Sequence, residues 1–250
     1  MFTATANLVS KLQLLALIVV LAGSFIVDFN IPTVLSTILI FYIFNIVGIS
    51  ITLHRYYSHK SFEFRHIAIK KLFTFISAII CRGSPIGWVY IHRLHHGFSD
   101  TDKDPHSPKH LGFKLFGLKH LTNHSDKINK FLVKDLMTEE QLNINKYYLL
   151  YVIAYVTALA IINIQLVYFL WALPVVLVQL SQNSFNYFGH MVGYRNFQTE
   201  DTSTNNIWLF PFILGDAWHN NHHKNPALVS NKVRAFEVDP AAAIINIIKK

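Results

Sequence analysis

The chain has 250 residues, 52% of them hydrophobic and only 14% charged, with a mean hydropathy of +0.33; a soluble domain carries about 25% charged residues, so this composition points to a membrane protein. The formal charge of +8 does not indicate nucleic acid, because the basic residues are scattered among apolar runs and form neither a stripe nor an arm. A single cysteine, Cys81, against fourteen histidines excludes an internal disulfide and a thiolate zinc or iron–sulfur site, so any metal is held by nitrogen and oxygen.

The first apolar run, residues 8–27, has the roughly 20-residue length needed to cross a hydrocarbon core about 30 Å thick. Lys11 and the small residues Ala22 to Ser24 give it some likeness to a secretory signal. A second run, residues 31–53, follows after the tight turn Asp28 to Asn30, so a retained span is expected. The stretch Ile67 to Ile80 is too short to cross and contains Lys70 and Lys71, which predicts a re-entrant or interfacial helix that returns to the same side. After a polar middle, Arg93 to Lys146, come two further runs, 147–164 and 166–184, joined by the short turn Asn163 to Gln165.

Neither short turn contains Lys or Arg, so all 22 basic residues lie at the N-terminus, in the centre or in the C-terminal region, and the positive-inside rule places those three in the cytoplasm. The expected fold is an all-α integral membrane protein: four transmembrane helices in two hairpins, a cytoplasmic helical cap (54–146 and 185–250) and one re-entrant or interfacial helix. No repeat or Gly/Ser/Pro linker divides it, so residues 1–250 read as one domain.

Three histidine clusters fall on the inferred cytoplasmic side. They are HRYYSH, with His54 and His59; HRLHH, with His92, His95 and His96; and HNNHH, with His219, His222 and His223. Positions i, i+3 and i+4 share one helical face, so the second and third clusters can each present three imidazoles together. His54 and His59, five apart, need a helix end that unwinds, or they serve two different metals. Eight imidazoles exceed the four ligands of one zinc and suit two metals, and imidazole alone does not choose among iron, copper, zinc and nickel. Ligands at the mouth of an apolar bundle imply a substrate whose reacting part is also apolar. His66, His110, His120 and His124 stand alone and read as ordinary surface or core residues.

With these clusters in order, the chain resembles the integral-membrane fatty-acyl desaturases, the group of stearoyl-CoA desaturase and the bacterial and cyanobacterial delta-9 enzymes. The family pattern is H-x4-H, H-x2-H-H and H-x2-H-H. The flanking segments SPIGWVYIHRLHHGFSDTDKDPHSP, GHMVGYR and GDAWHNNHH match too, over about Gly48 to Lys224. The resemblance implies a di-iron centre on the eight clustered histidines, joined by His190, with Asn186 contacting the metal through water. It also implies that Trp88 sits near the bend of an acyl tunnel, with helix packing as the other reading of that residue. Where animal acyl-CoA desaturases carry Arg-Asp before the second cluster, this chain has Tyr90-Ile91, which points away from CoA-specific contacts and towards a lipid-linked or carrier-protein-linked acyl chain. Asp216 stands where Glu is common and remains a carboxylate able to hold a ligand N–H.

The implied reaction is O2-dependent insertion of a cis double bond, at delta-9 by resemblance, into a saturated acyl chain carried on CoA, lipid or carrier protein. Asp100, Asp102, Asp104 and Asp216 are candidate partners of the ligands, with plain solvation as the other reading of the first three. Arg55, Lys60 and Arg82 are basic groups near the cytoplasmic mouth, for a head group or a simple interfacial role. Electrons must come from a separate cytochrome b5, ferredoxin or rubredoxin-type donor, and the +8 charge favours an acidic one. A membrane di-iron hydroxylase shares the histidine spacing. A transporter would carry ionisable groups along its spans, which are nearly free of charge here. The short chain and the lack of a fused donor domain favour a bacterial inner membrane over the endoplasmic reticulum.

Overall fold

A computed structural model describes residues 2–116 and 129–250, with side chains from residue 7 onward; His120 and His124 lie outside the described residues. Among the described residues the architecture is carried chiefly by α1 (Phe2–Gly23), α2 (Ile31–Ser58), α3 (Ile67–Ile79), α4 (Pro85–Phe98), α5 (Glu139–Lys146), α6 (Tyr148–Ile162), α7 (Ile164–Phe188), α8 (His219–Lys224) and α9 (Pro240–Ile248). Among the described residues there is no β-strand, only three isolated bridges. The all-helical expectation is met.

Among the described residues two helices, α2 and α7, are long and apolar enough to cross a membrane. The third run forms the unbroken helix α6, which meets α5 of the expected cap at a 60° bend, and the two together form a third candidate span. The first run starts its helix earlier than expected and stops at Gly23, so residues 24–27 belong to the turn. Asn30 caps α2 by accepting the Thr33 amide at 3.0 Å, and Asn163 caps α7 by accepting the Gln165 amide at 2.9 Å. These asparagines satisfy amide donors that a helix start leaves open, which is why both turns end where they do. Apolar side chains crowd the turns and face outward, with Phe25 91%, Ile31 76% and Ile161 80% exposed.

The core runs through Leu12 and Ala16 of α1, Phe41, Phe44 and Ile49 of α2, Val152 of α6, and Trp171, Val175 and Val178 of α7. α1 packs chiefly on α7 and less on α2, its sequence neighbour. Gly23 permits this, since a Cβ there would run into the Tyr168 ring. Polar groups lock α2 to α7: Thr37 donates to the Phe169 carbonyl at 2.9 Å, and Gln182 donates to Asn45 at 3.0 Å. α3 has 13 residues, about 20 Å at 1.5 Å per residue, so it is too short to cross, as its sequence predicted. It lies against α2 and α6 and ties Lys70 to Glu140 of α5 at 2.7 Å.

After α7 the chain folds back through paired backbone bonds, Tyr194 N–H to the Asn205 carbonyl at 3.0 Å and Asn205 N–H to Tyr194 at 2.7 Å. Asn206 N–H then reaches Ala217 at 2.9 Å, which brings the end of α7 beside the start of α8. Gly193 makes the turn at φ +149, and a Cβ there would overlap the Asn205 carbonyl. An L side chain rarely adopts that φ. Gly193→Ala is therefore expected to cost about 1–3 kcal/mol or more, read as a lowered midpoint of thermal unfolding in detergent.

Candidate metal centre

The first cluster depends on an unusual helix. From Phe44 to Ser58, α2 bonds each amide to the carbonyl five residues back, a pattern continued by the His59 amide on the His54 carbonyl at 3.1 Å. In an α-helix, positions five apart lie about 140° apart around the axis. The wider i→i+5 turn brings them towards one face, and the His54 and His59 rings lie 4.9 Å apart. Of the two options that the spacing left open, a shared site is the one found; the helix widens instead of unwinding.

The clusters assemble into two groups. His54, His59, His92, His96 and His222 form one, and His95, His190, His219 and His223 form the other, with the donor nitrogens in each group all within 4.8 Å of one another. Each three-histidine cluster divides by its spacing. In α4 the i, i+4 pair His92 and His96 faces the first group while His95 faces the second; in α8 the pair His219 and His223 faces the second while His222 faces the first.

The outer ring nitrogens explain what the inner ones can do. His95 Nδ1 lies 2.9 Å from Asp104, His190 Nδ1 3.2 Å from Asp100 and His223 Nδ1 2.6 Å from Asp201. A carboxylate only accepts, so each of these Nδ1 atoms carries the proton, and in the neutral ring that a metal ligand requires each Nε2 presents a lone pair. His95 Nε2 and His223 Nε2 then face each other at 3.3 Å with no proton between them. The Nε2 pairs His54–His222, His59–His92 and His190–His219 approach to 2.9, 2.7 and 3.0 Å. Nitrogen ligands at about 2.1 Å from one metal and about 90° apart are separated by about 3 Å. Facing lone pairs at this spacing fit a cation between them, so the residues present suit a metal in each group.

Electrostatics agree. Burial, with neighbouring imidazoles adding to it, pushes His92, His96, His219 and His222 well below their usual range, which keeps them neutral. Burial lowers His223 to about 4, partly offset by its bond to Asp201. Burial alone would raise the carboxyls of Asp100, Asp104 and Asp201, but their histidine bonds outweigh it and hold all three below the usual carboxylate range.

The candidate acids thus separate. Asp100 and Asp104 each hold the outer nitrogen of a clustered histidine; Asp102 is exposed and stands apart from the groups. Asp216 is buried 3.6 Å from His54, held by Ser50 at 2.8 Å and Arg55 at 3.2 Å. Sequence reasoning missed Asp201, which has no fixed spacing from any cluster. It also missed His106, whose Nδ1 lies 3.4 Å from Asn186; only its place in the DPH segment after the second cluster hinted at it. The asparagines of HNNHH act as scaffold: Asn220 accepts the Asn196 and Phe197 amides, and Asn221 donates to Glu237, each at 2.9 Å.

The basic residues need correction. Arg55 is buried, bonded to Asp239 at 2.8 Å, so it cannot meet a head group. Arg82 is buried too, because the loop after α3 packs beneath α1. Lys60 alone is exposed, paired with Asp135 at 3.0 Å. His66 and His110 are exposed and outside both groups, as expected. A cavity beside the metal groups is walled by His54, His92, His95 and His219 and by the apolar Ile49 and Trp88. Trp88 stacks on His92 at 4.8 Å, so it both lines the cavity and packs against a candidate ligand.

The sequence pattern that defines fatty acid desaturases matches residues 30–243. This chain belongs to the fatty acid desaturase family. As a member it is an oxidoreductase, and its two histidine groups are ones that could hold metal ions. Similar proteins include the hex-5-enoyl-[acyl-carrier protein] acetylenase of Moorena producens (strain JHB), 29% identical over 75% of this chain and 66% of that protein. The sn-1 stearoyl-lipid 9-desaturase of Anabaena variabilis is 28% identical over 85% and 79%. The chloroplastic palmitoyl-monogalactosyldiacylglycerol delta-7 desaturase of Arabidopsis thaliana is 32% identical over 71% of this desaturase-family chain but only 49% of its own length.

Removing an acid that holds a ligand's outer nitrogen typically costs 10–100-fold in metal affinity. Asp201→Ala should lose iron to that extent in a chelator competition, while Asp102→Ala should match the parent chain.

Proposed function

We propose that this chain is a membrane di-iron desaturase that inserts a cis double bond, at delta-9, into a saturated fatty-acyl chain, with O2 as co-substrate. The observation that carries this reading is the convergence of imidazole nitrogens into two groups beside a partly apolar cavity, with the outer nitrogens of three rings bonded to carboxylates. His54, His59, His92, His96 and His222 would hold one iron; His95, His190, His219 and His223 the other, with Asn186 acting through water. Bound there, the irons would supply the oxidising power that removes two hydrogens from adjacent methylenes as O2 is reduced to water.

The chain's own residues do the rest. An unactivated methylene has no polar handle, so its position is chosen by shape, and Trp88, stacked on His92, lines the cavity beside one group. Asp100, Asp104, Asp201 and Asp216 hold the imidazoles so that no reorganisation is needed when charge develops. Burial of His54, His95, His190, His219 and His222 would help keep water from the reacting carbons.

The acyl group would arrive on lipid or carrier protein in preference to CoA. Tyr90, where animal acyl-CoA desaturases carry Arg, is 5% exposed and offers no guanidinium. Relatives named for lipid-linked and carrier-linked substrates support that order. An external cytochrome b5, ferredoxin or rubredoxin-type donor would dock on the basic cytoplasmic side. The membrane reading is four spans, α1, α2, α6 and α7, with both termini in the cytoplasm, at a bacterial inner membrane. The outward-facing apolar residues at the α1–α2 and α6–α7 turns support it.

Expression in a desaturase-deficient host, with gas chromatography of total fatty acids, tests the reaction. A new monounsaturated acid is expected with the intact chain and should fall to background with His95→Ala or His96→Ala. A product heavier by one oxygen would mean hydroxylation instead. No product from iron-loaded protein supplied with a working donor would sink the proposal.

A further inference from the structure

The cavity that borders the histidines is not apolar throughout. Its wall also includes Arg82, whose side chain is more than nine-tenths buried, together with Gln13 and Gln182. Arg82 follows α3 and precedes Ser84, the residue that caps α4. Gln13 of α1 donates to the carbonyl of Cys81 at 2.8 Å and so fixes the loop that carries Arg82.

A buried guanidinium is costly unless a carboxylate lies beside it. The other buried or half-buried arginines of the interior obey that rule: Arg55 has Asp239 at 2.8 Å and Asp216 at 3.2 Å, and Arg93 has Asp135 at 2.7 Å. Arg82 does not. Among the described residues it makes no ion pair; one terminal nitrogen donates to the neutral amide of Gln179, and Nε has no partner. Burial draws its pKa down to about 10, so it still carries its charge at neutral pH.

A cavity meant only for hydrocarbon would be poorly served by that group, since an alkyl chain offers it nothing and keeps it from water. An oxygen-bearing ligand group would complete it, and a guanidinium matches the geometry of carboxylate and carbonyl oxygens better than any other side chain. From Ser84 to His92 along α4 is about 12 Å at 1.5 Å per residue. A group held near Arg82 therefore leaves room for methylenes of the same chain at the histidines.

We propose that Arg82 anchors a carboxylate or carbonyl oxygen of the acyl substrate, so that its part of the cavity takes the oxygen-bearing end of the molecule and not a hydrocarbon tail. The proposal rests on the acyl-desaturase reading for the class of ligand. Its test is a binding measurement that needs no iron, O2 or electron donor, so a failure of turnover and a failure of the anchor are told apart.

The full chain, purified in detergent, is titrated with decanoate, methyl decanoate and decanol, and binding is followed by the shift in thermal unfolding. A hydrogen bond to a charged group is worth about tenfold in affinity. Decanoate is expected to bind about tenfold tighter than decanol. Methyl decanoate matching decanoate assigns the anchor to a carbonyl, and methyl decanoate falling to the level of decanol assigns it to a carboxylate. The advantage over decanol is expected to vanish in Arg82→Met and Arg82→Gln. Decanol binding as tightly as both others in the parent chain overturns the proposal, and so does an advantage that survives in Arg82→Met. If neither variant folds, the comparison in the parent chain decides.

Discussion

Imidazole nitrogens that face one another with lone pairs and no proton between them repel, and the centre of this protein brings ring nitrogens together at such distances. His95 and His223 show it most directly, since both outer nitrogens are committed to carboxylates. The arrangement holds only if the rings are fixed from outside and a cation is accommodated inside. The rest of the architecture supplies the first condition and prepares the second: helices bring the rings in, and buried acids set their tautomers.

Fixing the rings takes polar groups where the composition is largely apolar. Arg93 links the second cluster to the first by donating to the Tyr57 and Ser58 carbonyls at 2.9 and 3.0 Å while gripping Asp135. Arg55 links the first cluster to the third through Asp216 and to the C-terminal region through Asp239. Breaking one partner of such a buried pair costs about 3–5 kcal/mol, because the other charge is left stranded. These networks join segments far apart in the chain, and Glu237, fully buried, gathers Asn221, Tyr194 and the Val233 and Arg234 amides in the same way.

The apolar part has a complementary role. α2 and α7 cross through one continuous core, and their few cross-helix hydrogen bonds, Thr37 to Phe169 and Gln182 to Asn45, set how the helices lie against each other. The cavity between this core and the histidines inherits both characters, with Ile49 and Trp88 on one part of its wall and Arg82 with Gln13 on another. That mixture distinguishes it from a plain hydrocarbon slot.

By itself the sequence determined the all-helical class, the apolar runs, the short α3 and the identity of the clustered histidines, because helical period and ligand chemistry are local properties. The i, i+3, i+4 spacing even contains the division of α4 and α8 between two groups, although which imidazole goes where required the facing helices. Tertiary structure alone decided that α2 widens so that His54 and His59 share a site, since neither residue reveals its helix type. It also selected Asp201 and rejected Asp102, and it withdrew Arg55 and Arg82 from the surface where their charge would place them. Those outcomes depend on contacts between residues distant in the chain, and burial of a charge is settled only by what packs around it.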